Sequence, residues 1–323
     1  MRAILFGRLR DSCKRGRGRR EATNVRLLLT GANGLIGRQL RRDLLPSGSD
    51  LITTGRGATC LDSDEHHSTD LADPELAAAL VRFVRPTHII HLAWETTPPT
   101  YWEDPVNSAW QESTARMAAA FGETGGRRFI QVGSCAEYDW AAGVCREEAT
   151  PDRPTTLYGK AKLASFHAVQ AAAHEKFEAV EARIFFIYGP GERPERFVPT
   201  ICRSHLQGEV PMLGSGRVKR DFLHSNDVAR ALAAIACAPR VEGVINVGSG
   251  IPTPLAEVAE ILADLAGADE TGLGRAADRA GEPDTLVASI DRLRGIGWAP
   301  RLTIRQGLKD IFEWWRNELQ RSS

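Results

Sequence analysis

The chain has 323 residues, enough to bury a substantial core in one large domain or two modest ones. Hydrophobic residues make up 42% and charged residues 25%, a balance that excludes fibrous and intrinsically disordered proteins. The 41 basic residues equal the 41 acidic ones, so no overall charge favours nucleic acid or an anionic membrane as a partner.

The first 24 residues differ from the rest of the chain in their charge. Residues 1–20 carry eight arginines and lysines, and Asp11 is their only acidic residue. The apolar stretch 3–6 is too short for a signal peptide. We interpret residues 1–24 as a basic, disordered tail; a nucleic-acid or membrane arm, a targeting segment and an upstream start codon are the alternatives.

The rest of the chain predicts a cytoplasmic protein. No later segment reaches the roughly 18 uninterrupted apolar residues of a membrane span. The six cysteines form no Cys-x-x-Cys pair, which argues against a zinc site or a disulfide framework and favours a reducing compartment.

A strand, a glycine-rich loop and a helix begin the folded part of the chain. The apolar run 25–30 does not alternate with polar residues, as in a parallel strand buried on both faces. It leads into Gly31-Ala32-Asn33-Gly34-Leu35-Ile36-Gly37, after which residues 38–45 have helical periodicity. Glycines let backbone N–H groups approach a pyrophosphate at the start of a helix, so this pattern predicts a dinucleotide site.

The end of the second predicted strand, 51–54, bears on the choice of cofactor. NAD-preferring sites usually offer a carboxylate there to the ribose 2′-hydroxyl. Here Gly55 and Arg56 follow the strand, and a guanidinium suits a 2′-phosphate. We predict NADP, with NAD possible if Arg56 points into solvent. Asp70-Leu71, after a polar loop, is the place where a carboxylate would meet adenine.

Helices and strands then alternate, which predicts right-handed crossovers and a doubly wound parallel sheet. We expect helices over 75–85, 108–123, from Leu157 onward and over 227–238, and strands over 87–93, 128–132, 182–188 and 244–247. The pattern loosens beyond residue 190, and amphipathic helices are predicted over 254–266 and 304–318.

Aromatic and histidine side chains surround the end of the strand over 87–93. His88 and His91 have no third ligand nearby, so we expect local partners for them and not a metal. The following segment, 94–105, places Trp94, Tyr101 and Trp102 among prolines. Such a segment suits either a substrate wall or a cap on the core.

Three polar residues form the candidate catalytic group. Ser134 lies at the end of a parallel strand, where open α/β sheets place their chemistry. Tyr158 and Lys162 are four residues apart and share one face of a predicted helix. An ammonium beside a phenol favours the phenolate, which suits proton transfer; an ordinary solvated helix face is the alternative.

The order of these motifs resembles the extended short-chain dehydrogenase/reductases, the nucleotide-sugar epimerase and dehydratase family, from about Val25 to Trp315. The motifs that carry the resemblance are Thr30-Gly31-x-x-Gly34-x-x-Gly37, Asp70-Leu71, His91-Leu92-Ala93, Ser134 four residues before Tyr138, Tyr158-x-x-x-Lys162, Tyr188-Gly189-Pro190-Gly191, Arg220-Asp221-Phe222 and Asn246-Val247-Gly248-Ser249-Gly250.

The resemblance implies an α/β fold with a Rossmann domain over 25–190 and a smaller, mainly substrate-binding domain over 191–323, some of whose segments return to the Rossmann sheet. It implies that Tyr158 is the acid/base, that Lys162 holds the nicotinamide ribose and lowers the pKa of the phenol, and that Ser134 hydrogen-bonds the reacting oxygen. Arg220 and Arg279 match positions that clamp the nucleotide diphosphate, and Arg279 has a surface position as its alternative. A homodimer through the helix of Tyr158 is also implied.

The complete set of candidate residues follows from these arguments. The catalytic candidates are Ser134, Tyr158 and Lys162. The cofactor-binding candidates are Gly31, Asn33, Gly34, Leu35, Ile36, Gly37, Arg56, Asp70, Leu71, Leu92, Ala93, Tyr158 and Lys162. The substrate-binding candidates are Trp94, Ser134, Arg220 and Arg279, and no metal ligand is proposed.

Departures from the family pattern limit the reaction. Dehydratases of the family carry an Asp-Glu pair after the Ser or Thr, where this chain has Cys135 and Ala136. Dehydration is therefore not expected, and Cys135 is interpreted as a packing residue. Phe186 replaces an Asn that helps to hold the sugar nucleotide in many members.

We predict an NADPH-dependent reductase of a nucleotide-linked 4-keto-6-deoxyhexose. The alternatives are a nucleotide-sugar C4 epimerase with bound NAD and a non-catalytic, NADP-binding regulator. The expected partner is a nucleotide-sugar substrate, with no nucleic acid and no membrane.

Overall fold

The structure is a computed structural model that describes residues 25–40, 44–57, 63–278 and 283–322. The predicted tail 1–24, part of the helix predicted over 38–45, and Arg279 lie outside the described residues. Within the described ranges the strands are β1 (Arg26–Thr30), β2 (Asp50–Gly55), β3 (Glu65–Ser68), β4 (His88–His91), β5 (Arg128–Ser134), β6 (Val144–Cys145), β7 (Glu178–Ile184), β8 (Phe186–Tyr188), β9 (Lys219–Arg220), β10 (Phe222–His224), β11 (Gly243–Val247), β12 (Thr253–Pro254) and β13 (Thr285–Ala288).

Six of the α-helices of the described residues were predicted from the sequence, and those at 197–206 and 291–295 were not. In chain order the helices are α1 (Pro74–Val84), α2 (Val106–Glu123), α3 (Leu157–Ala173), α4 (Phe197–Leu206), α5 (Ser225–Cys237), α6 (Leu255–Ala266), α7 (Asp291–Gly295) and α8 (Ile304–Ser322). The helix predicted from Leu157 begins at that residue, where Thr156 caps it by accepting a hydrogen bond from the backbone N–H of Gly159.

Seven parallel strands form the central sheet, in the order β11-β7-β5-β4-β1-β2-β3. The doubly wound, Rossmann-like prediction is confirmed. Chain order reverses on either side of β1, and the carboxyl ends of the strands form a crevice at such a switch point. Ser134 ends one strand at this edge, and the glycine-rich loop follows another.

Both faces of the sheet are buried, which explains why its strands read as continuous apolar runs. Leu28 and Phe129 pack against α1, α2 and α3 on one face. Leu27 and Leu29 point to the opposite face, where α5 covers them, because successive side chains of a strand alternate between faces.

A second apolar cluster lies in the C-terminal part of the chain. Tyr188 and Phe222 pack there against α4, α6 and α8. Two small sheets accompany it, one of β8 and β10 and one in the order β12-β9-β13-β6. Strand β11 returns to the central sheet, and the proposed division at residue 190 stays a prediction.

The strand predicted over 182–188 is wrong as a single element. Strand β7 ends at Ile184 in the central sheet, and β8 pairs with β10. The change occurs where the N–H of Phe185 donates to the carbonyl of Val247 and the N–H of Phe186 donates to that of Asp221. A continuous apolar run cannot indicate such a change of partner, because the residues on both sides of the change are apolar.

The observed elements differ from the predicted ones at two further places, both in the first half of the chain. Strand β3 was not predicted, because its sequence Glu-His-His-Ser is polar and the strand lies at the edge of the sheet. The glycine-rich loop leads into a 3-10 turn, Gly37–Gln39, whose start has no side-chain cap; residues 41–43 of the helix predicted there lie outside the described residues. Among the described helices, none has the length and apolarity needed to cross a bilayer.

Candidate active site

Ser134 and the start of α3 meet at the carboxyl end of β5. Ser134 ends this strand and caps the 3-10 turn Cys135–Glu137. It also lies near the phenol of Tyr158, whose pKa it lowers. The structure therefore brings the predicted serine and tyrosine together.

The close approach of α3 depends on Gly159. A Cβ atom at this position would lie only 2.4 Å from the carbonyl oxygen of Ala136 and 3.0 Å from Cβ of Pro154. Alanine would collide with backbone, so only glycine lets the first turn of α3 lie against the turn after Ser134. Tyr158 precedes this contact directly and is held by it.

Burial controls the protonation of Tyr158. The residue is only 8% exposed, and burial raises the pKa of its phenol well above the ordinary value, with a further increase from Tyr101. The hydroxyl of Ser134 lowers this pKa by a smaller amount. Loss of hydration outweighs the favourable contacts, so the pKa of the phenol lies above its ordinary value. The effect of Lys162 on this pKa stays a prediction.

Lys162 is buried one turn further along α3. Its Nζ donates to the carbonyl oxygen of Val132 at 2.8 Å and lies 3.8 Å from the centre of the Trp94 ring. Burial lowers the pKa of Lys162 to about 7, although the charges of Glu137 and Glu181 act to raise it. The indole face and the carbonyl both favour the ammonium form.

Aromatic rings enclose the phenol of Tyr158. The ring centres of Tyr101, Trp102 and Trp94 lie 5.1, 5.6 and 6.3 Å from that of Tyr158, all with edge-to-face geometry. Trp94 is held by a 2.8 Å hydrogen bond from its Nε1 to Oδ1 of Asn107. These rings, which the sequence predicted as a substrate wall or a core cap, form an apolar cover over the candidate acid.

Arginines from the loop between β8 and α4 attach to the aromatic segment. Arg196 donates to the carbonyl oxygen of Thr96 at 3.2 Å and to the hydroxyl of Tyr101 at 3.4 Å. Arg193 lies 3.6 Å from Oε1 of Glu95. The two segments around the crevice are thus joined by charged groups.

The glycine-rich loop has the shape that a pyrophosphate requires. Gly31 has φ of +66°, and a Cβ there would lie 2.8 Å from the backbone nitrogen of Ala93. A Cβ on Gly37 would lie 2.4 Å from the carbonyl oxygen of Gly31. Backbone atoms occupy the positions that side chains at Gly31 and Gly37 would need, so only glycine fits there. Such a closely packed glycine loop fits a dinucleotide.

The loop and β4 are tied together beside the switch point. The hydroxyl of Thr30 accepts a hydrogen bond from the backbone N–H of Ala93 and pairs with Nδ1 of His91 at 2.8 Å. His91 is fully buried, and burial lowers its pKa to about 3. The local partners predicted for this histidine are confirmed, and Nδ1 of His88 likewise contacts the hydroxyl of Thr87.

Arg56 follows β2 directly. Its side chain is 77% exposed and lies 3.4 Å from Oε2 of Glu95. Burial acts to raise the pKa of Glu95, but hydrogen bonds from Thr97 and the charges of Arg56 and Arg193 lower it overall. Asp70 accepts a hydrogen bond from the backbone N–H of Ala72, so its carboxylate is oriented by its own loop.

Of the two arginines predicted to bind the substrate, the structure describes only Arg220. Arg220 is buried, donates to the carbonyl oxygen of Pro283 at 2.8 Å, and lies 5.5 Å from the ring of Phe186. Arg279 lies outside the described residues. The diphosphate clamp stays a prediction for both.

Cys135 and Ala136 follow Ser134, where the resemblance predicts the acid and base of a dehydratase. The thiol of Cys135 is buried in the core, and burial raises its pKa well above the ordinary value. Ala136 packs beside Tyr158 and Tyr101. Neither residue offers a group that would remove a proton or expel water. Within the described ranges, no group of three or more His, Cys, Asp or Glu could hold a metal ion.

Glu137 is the residue of this region that the sequence reading missed. It is fully buried, and its Oε1 accepts a 2.6 Å hydrogen bond from the backbone N–H of Ser134. The spacing Ser-x-x-Glu is the signature of a capping box and could have identified this contact. The capping box was not predicted, because the motif lies between hydrophobic residues that drew attention to the strand.

The arrangement is suited to proton transfer at an oxygen bound near Ser134. Two hydroxyl groups lie together, the more buried of them holds its proton firmly, and an ammonium lies one helical turn away. Such donors stabilise charge that develops on a carbonyl oxygen.

Sequence and structure comparisons point to one family. The model described as "NAD dependent epimerase/dehydratase family" matches residues 27–248. The dTDP-glucose 4,6-dehydratase of Streptomyces griseus is 27% identical over 319 residues, which cover 90% of this chain and 93% of that protein. The GDP-6-deoxy-D-mannose reductase of Pseudomonas aeruginosa is 27% identical over 310 residues and covers 91% of this chain and 98% of its own.

A solved structure extends the likeness to the fold. The UDP-glucose 4-epimerase of Thermus thermophilus, in complex with NAD, matches with a TM-score of 0.79 and 25% identity. The match covers 90% of this chain and 99% of that protein. The similar proteins thus include a dehydratase, a reductase and an epimerase.

Proposed function

Because the chain belongs to the NAD dependent epimerase/dehydratase family, we propose that it uses its nicotinamide cofactor to reduce a nucleotide-linked sugar. The proposed substrate is a 4-keto-6-deoxyhexose, and the proposed cofactor is NADPH. Ser134, Tyr158 and Lys162 are the proposed catalytic residues.

Each residue has a defined task in this reaction. The bound cofactor supplies the hydride that the ketone carbon accepts. Tyr158 gives its proton to the ketone oxygen, and Ser134 donates a hydrogen bond to that oxygen as negative charge develops there. Lys162 holds the ribose of the cofactor and places a positive charge near the phenolate that remains.

The protonation of the site supports reduction. A reductase needs an acid at the ketone oxygen, and burial raises the pKa of Tyr158 so that the phenol keeps its proton at neutral pH. Elimination would need a further acid and base beside Ser134, where Cys135 and Ala136 offer neither.

The aromatic cover is the observation that carries the choice of reductase over epimerase. An epimerase must let the ketone present both of its faces to the cofactor. Tyr101, Trp102 and Trp94 crowd the phenol from several directions, and such crowding favours one orientation of the sugar. Apolar rings also suit the methyl group of a 6-deoxy sugar.

The preference for NADPH rests on Arg56. Its guanidinium is exposed, and ion pairs at such exposure contribute little, so a 2′-phosphate can replace the pair with Glu95 at small cost. No carboxylate directly follows β2 to accept the ribose hydroxyl.

A C4 epimerase that retains NAD is the second candidate. It is favoured by the likeness to a UDP-glucose 4-epimerase solved in complex with NAD. Such an enzyme would use the same three catalytic residues and would return the hydride to the opposite face of the ketone.

An assay with purified protein separates the two candidates. We expect NADPH to be consumed in proportion to product when dTDP-, GDP- or UDP-linked 4-keto-6-deoxyhexoses are added. Interconversion of sugar epimers by protein that carries tightly bound NAD, with no NADPH consumed, would overturn the reductase assignment. Tyr158→Phe serves as the inactive control in both assays.

Oligomeric state and location belong to the same proposal. Family membership supports a homodimer in the cytoplasm through a helix bundle that includes α3, the helix of Tyr158. Light scattering after size exclusion tests the dimer, and a purely monomeric protein at assay concentration would contradict it.

A further inference from the structure

Two carboxylates lie side by side beneath the end of β5. Glu137 and Glu181 are both fully buried, which is rare for glutamate unless it is paired. Glu137 reaches the backbone N–H of Ser134 at 2.6 Å, and Glu181 lies on the neighbouring strand β7. The proposed reaction as described above uses neither of them.

Gly133 provides the space for both groups. A Cβ at this position would lie 2.8 Å from Oε1 of Glu137 and 2.8 Å from Cγ of Glu181. Any other residue would displace the two carboxylates from the strand that carries Ser134. The backbone between Val132 and Ser134 is therefore shaped around them.

Arg183 forms ion pairs with the carboxylates of both Glu137 and Glu181. Its Nε lies 2.8 Å from Oε2 of Glu181 and 3.4 Å from Oε2 of Glu137. Its two terminal nitrogens bind Asp152 at 2.5 and 3.2 Å. The guanidinium is only 1% exposed, so it compensates the buried carboxylates by charge. Oε2 of Glu137 has this ion pair and no hydrogen bond among the described residues.

Gln131 connects Lys162 with the cluster formed by Glu137, Glu181, Arg183 and Asp152. The Nε2 of Gln131 donates to the carbonyl oxygen of Lys162 at 2.9 Å and to Oε1 of Glu181 at 3.4 Å. Lys162 in turn donates to the carbonyl of Val132, next to Gly133. Ser134 and Lys162 are thus both attached to the strand segment that Glu137 supports.

We propose that Glu137 is a positioning residue of the reaction, which fixes the backbone of Ser134 and supplies the negative charge that keeps Lys162 an ammonium ion. This inference deepens the proposed function and rests on it. A valine or other apolar residue at this position would neither bond the serine backbone nor balance the lysine.

Several charged and titratable groups face Lys162, and the sign of the effect follows from them. Glu137 and Glu181 favour its protonated form, whereas burial opposes it. His91 also faces it but is neutral, because burial and the lysine lower the pKa of this histidine to about 3. Tyr158 keeps its proton. Burial raises the pKa of both Glu137 and Glu181, but the backbone N–H of Ser134 lowers that of Glu137, whereas the charge of Glu137 raises that of Glu181 further. Glu137 is therefore the main charged partner. Loss of that charge lowers the pKa of Lys162.

Glu137→Gln tests this role because glutamine retains an oxygen for the N–H of Ser134 and removes the charge. We expect the alkaline limb of the dependence of kcat on pH, which reflects deprotonation of Lys162, to move to lower pH by about one unit. Glu137→Asp, which retains the charge, should restore the limb toward the wild-type position. An unshifted limb in Glu137→Gln would overturn the proposal.

Asp227→Asn is a matched control. Asp227 is also buried beside an arginine, Arg230, and accepts hydrogen bonds from the backbone N–H groups of Arg301 and Leu302. Its loss should lower stability without moving the pH profile. An equal movement in this variant would show that general destabilisation, and not the charge of Glu137, causes the effect.

A second readout does not depend on turnover. The ammonium of Lys162 lies against the Trp94 ring, so deprotonation should change tryptophan fluorescence at alkaline pH, and the change should disappear in Trp94→Phe. We expect Glu137→Gln to lower the midpoint of this change by about one pH unit. If no keto sugar is reduced but the midpoint shifts, the proposed reaction fails and the role of Glu137 survives; a midpoint equal to wild type refutes that role.

Discussion

Tyr158 shows how a single residue depends on its surroundings. The phenol is buried beneath aromatic rings, lies near Ser134 and keeps its proton at neutral pH. Proton transfer by a positioned side chain contributes at least about 10²-fold to turnover. The hydroxyl, and not the ring, is therefore the group whose loss should matter.

We accordingly predict that Tyr158→Phe lowers kcat by at least about 10²-fold and leaves the unfolding temperature close to wild type. The phenylalanine ring retains the contacts with Tyr101 and Trp102. Steady-state kinetics with a 4-keto sugar and thermal unfolding measure the two effects. Near-normal turnover would refute the assignment of Tyr158 as the acid.

Arg56 carries the prediction about cofactor choice. Arg56→Asp should change the ratio of kcat/KM for NADPH to that for NADH by at least about tenfold in favour of NADH, because one charge-assisted bond to the 2′-phosphate is lost and a ribose acceptor is gained. Arg193→Asp is the matched control, since it also loses an ion pair with Glu95. A ratio that is unchanged in Arg56→Asp, or equally changed in both variants, would contradict the 2′-phosphate role.

At the scale of elements, the site depends on how closely α3 approaches the turn after β5. The helix begins at Leu157 because Thr156 caps it, and it lies against Ala136 because Gly159 has no side chain. Ser134 and Tyr158 belong to different elements, so their contact depends on this approach.

Gly159→Ala should therefore lower kcat by at least about tenfold although alanine is a better helix former, because a shift of the helix misplaces the catalytic group. Gly122→Ala in α2 is a matched control, since its new Cβ would mainly meet side-chain atoms of Phe177 and Lys176 at 3.3 and 3.4 Å. Kinetics of both variants decide the point. Wild-type turnover in Gly159→Ala would show that the close contact is dispensable.

The bounds of helices and strands also show which of them can be predicted from sequence patterns alone. The predicted helix start at Leu157 is confirmed, because the cap and the periodicity are local signals. The strand predicted over 182–188 is wrong, because its division into β7 and β8 depends on hydrogen bonds to Val247 and Asp221, which lie far away in the chain.

At the scale of the whole molecule, buried acids make stability depend on pH. Glu192 is only 8% exposed, and burial raises its pKa to about 8. Its Oε2 has no hydrogen-bond partner among the described residues. The unfolded chain ionises this group near its ordinary value, at lower pH than the folded protein does.

The contribution of Glu192 to stability is therefore present below about pH 4.5 and is lost as pH rises toward about 8. Glu192→Gln, which mimics the protonated acid, should raise the free energy of unfolding at pH 8 or above by about 1–4 kcal/mol relative to wild type. Urea unfolding at several pH values measures this difference. Glu195→Gln, an exposed neighbour, should change little, and a wild-type pH dependence in Glu192→Gln would contradict the prediction.

The sequence by itself determined the doubly wound sheet, the family and the order of Ser134, Tyr158 and Lys162 along the chain. These features follow from local hydrophobic periods and from motifs whose residues are near one another in sequence. Only the tertiary structure decided that Tyr158 is buried with a raised pKa, that aromatic rings cover it, and that Glu137 supports Ser134 beside Glu181 and Arg183. Burial and electrostatic balance depend on groups from distant segments, so they exist only once those segments have packed together.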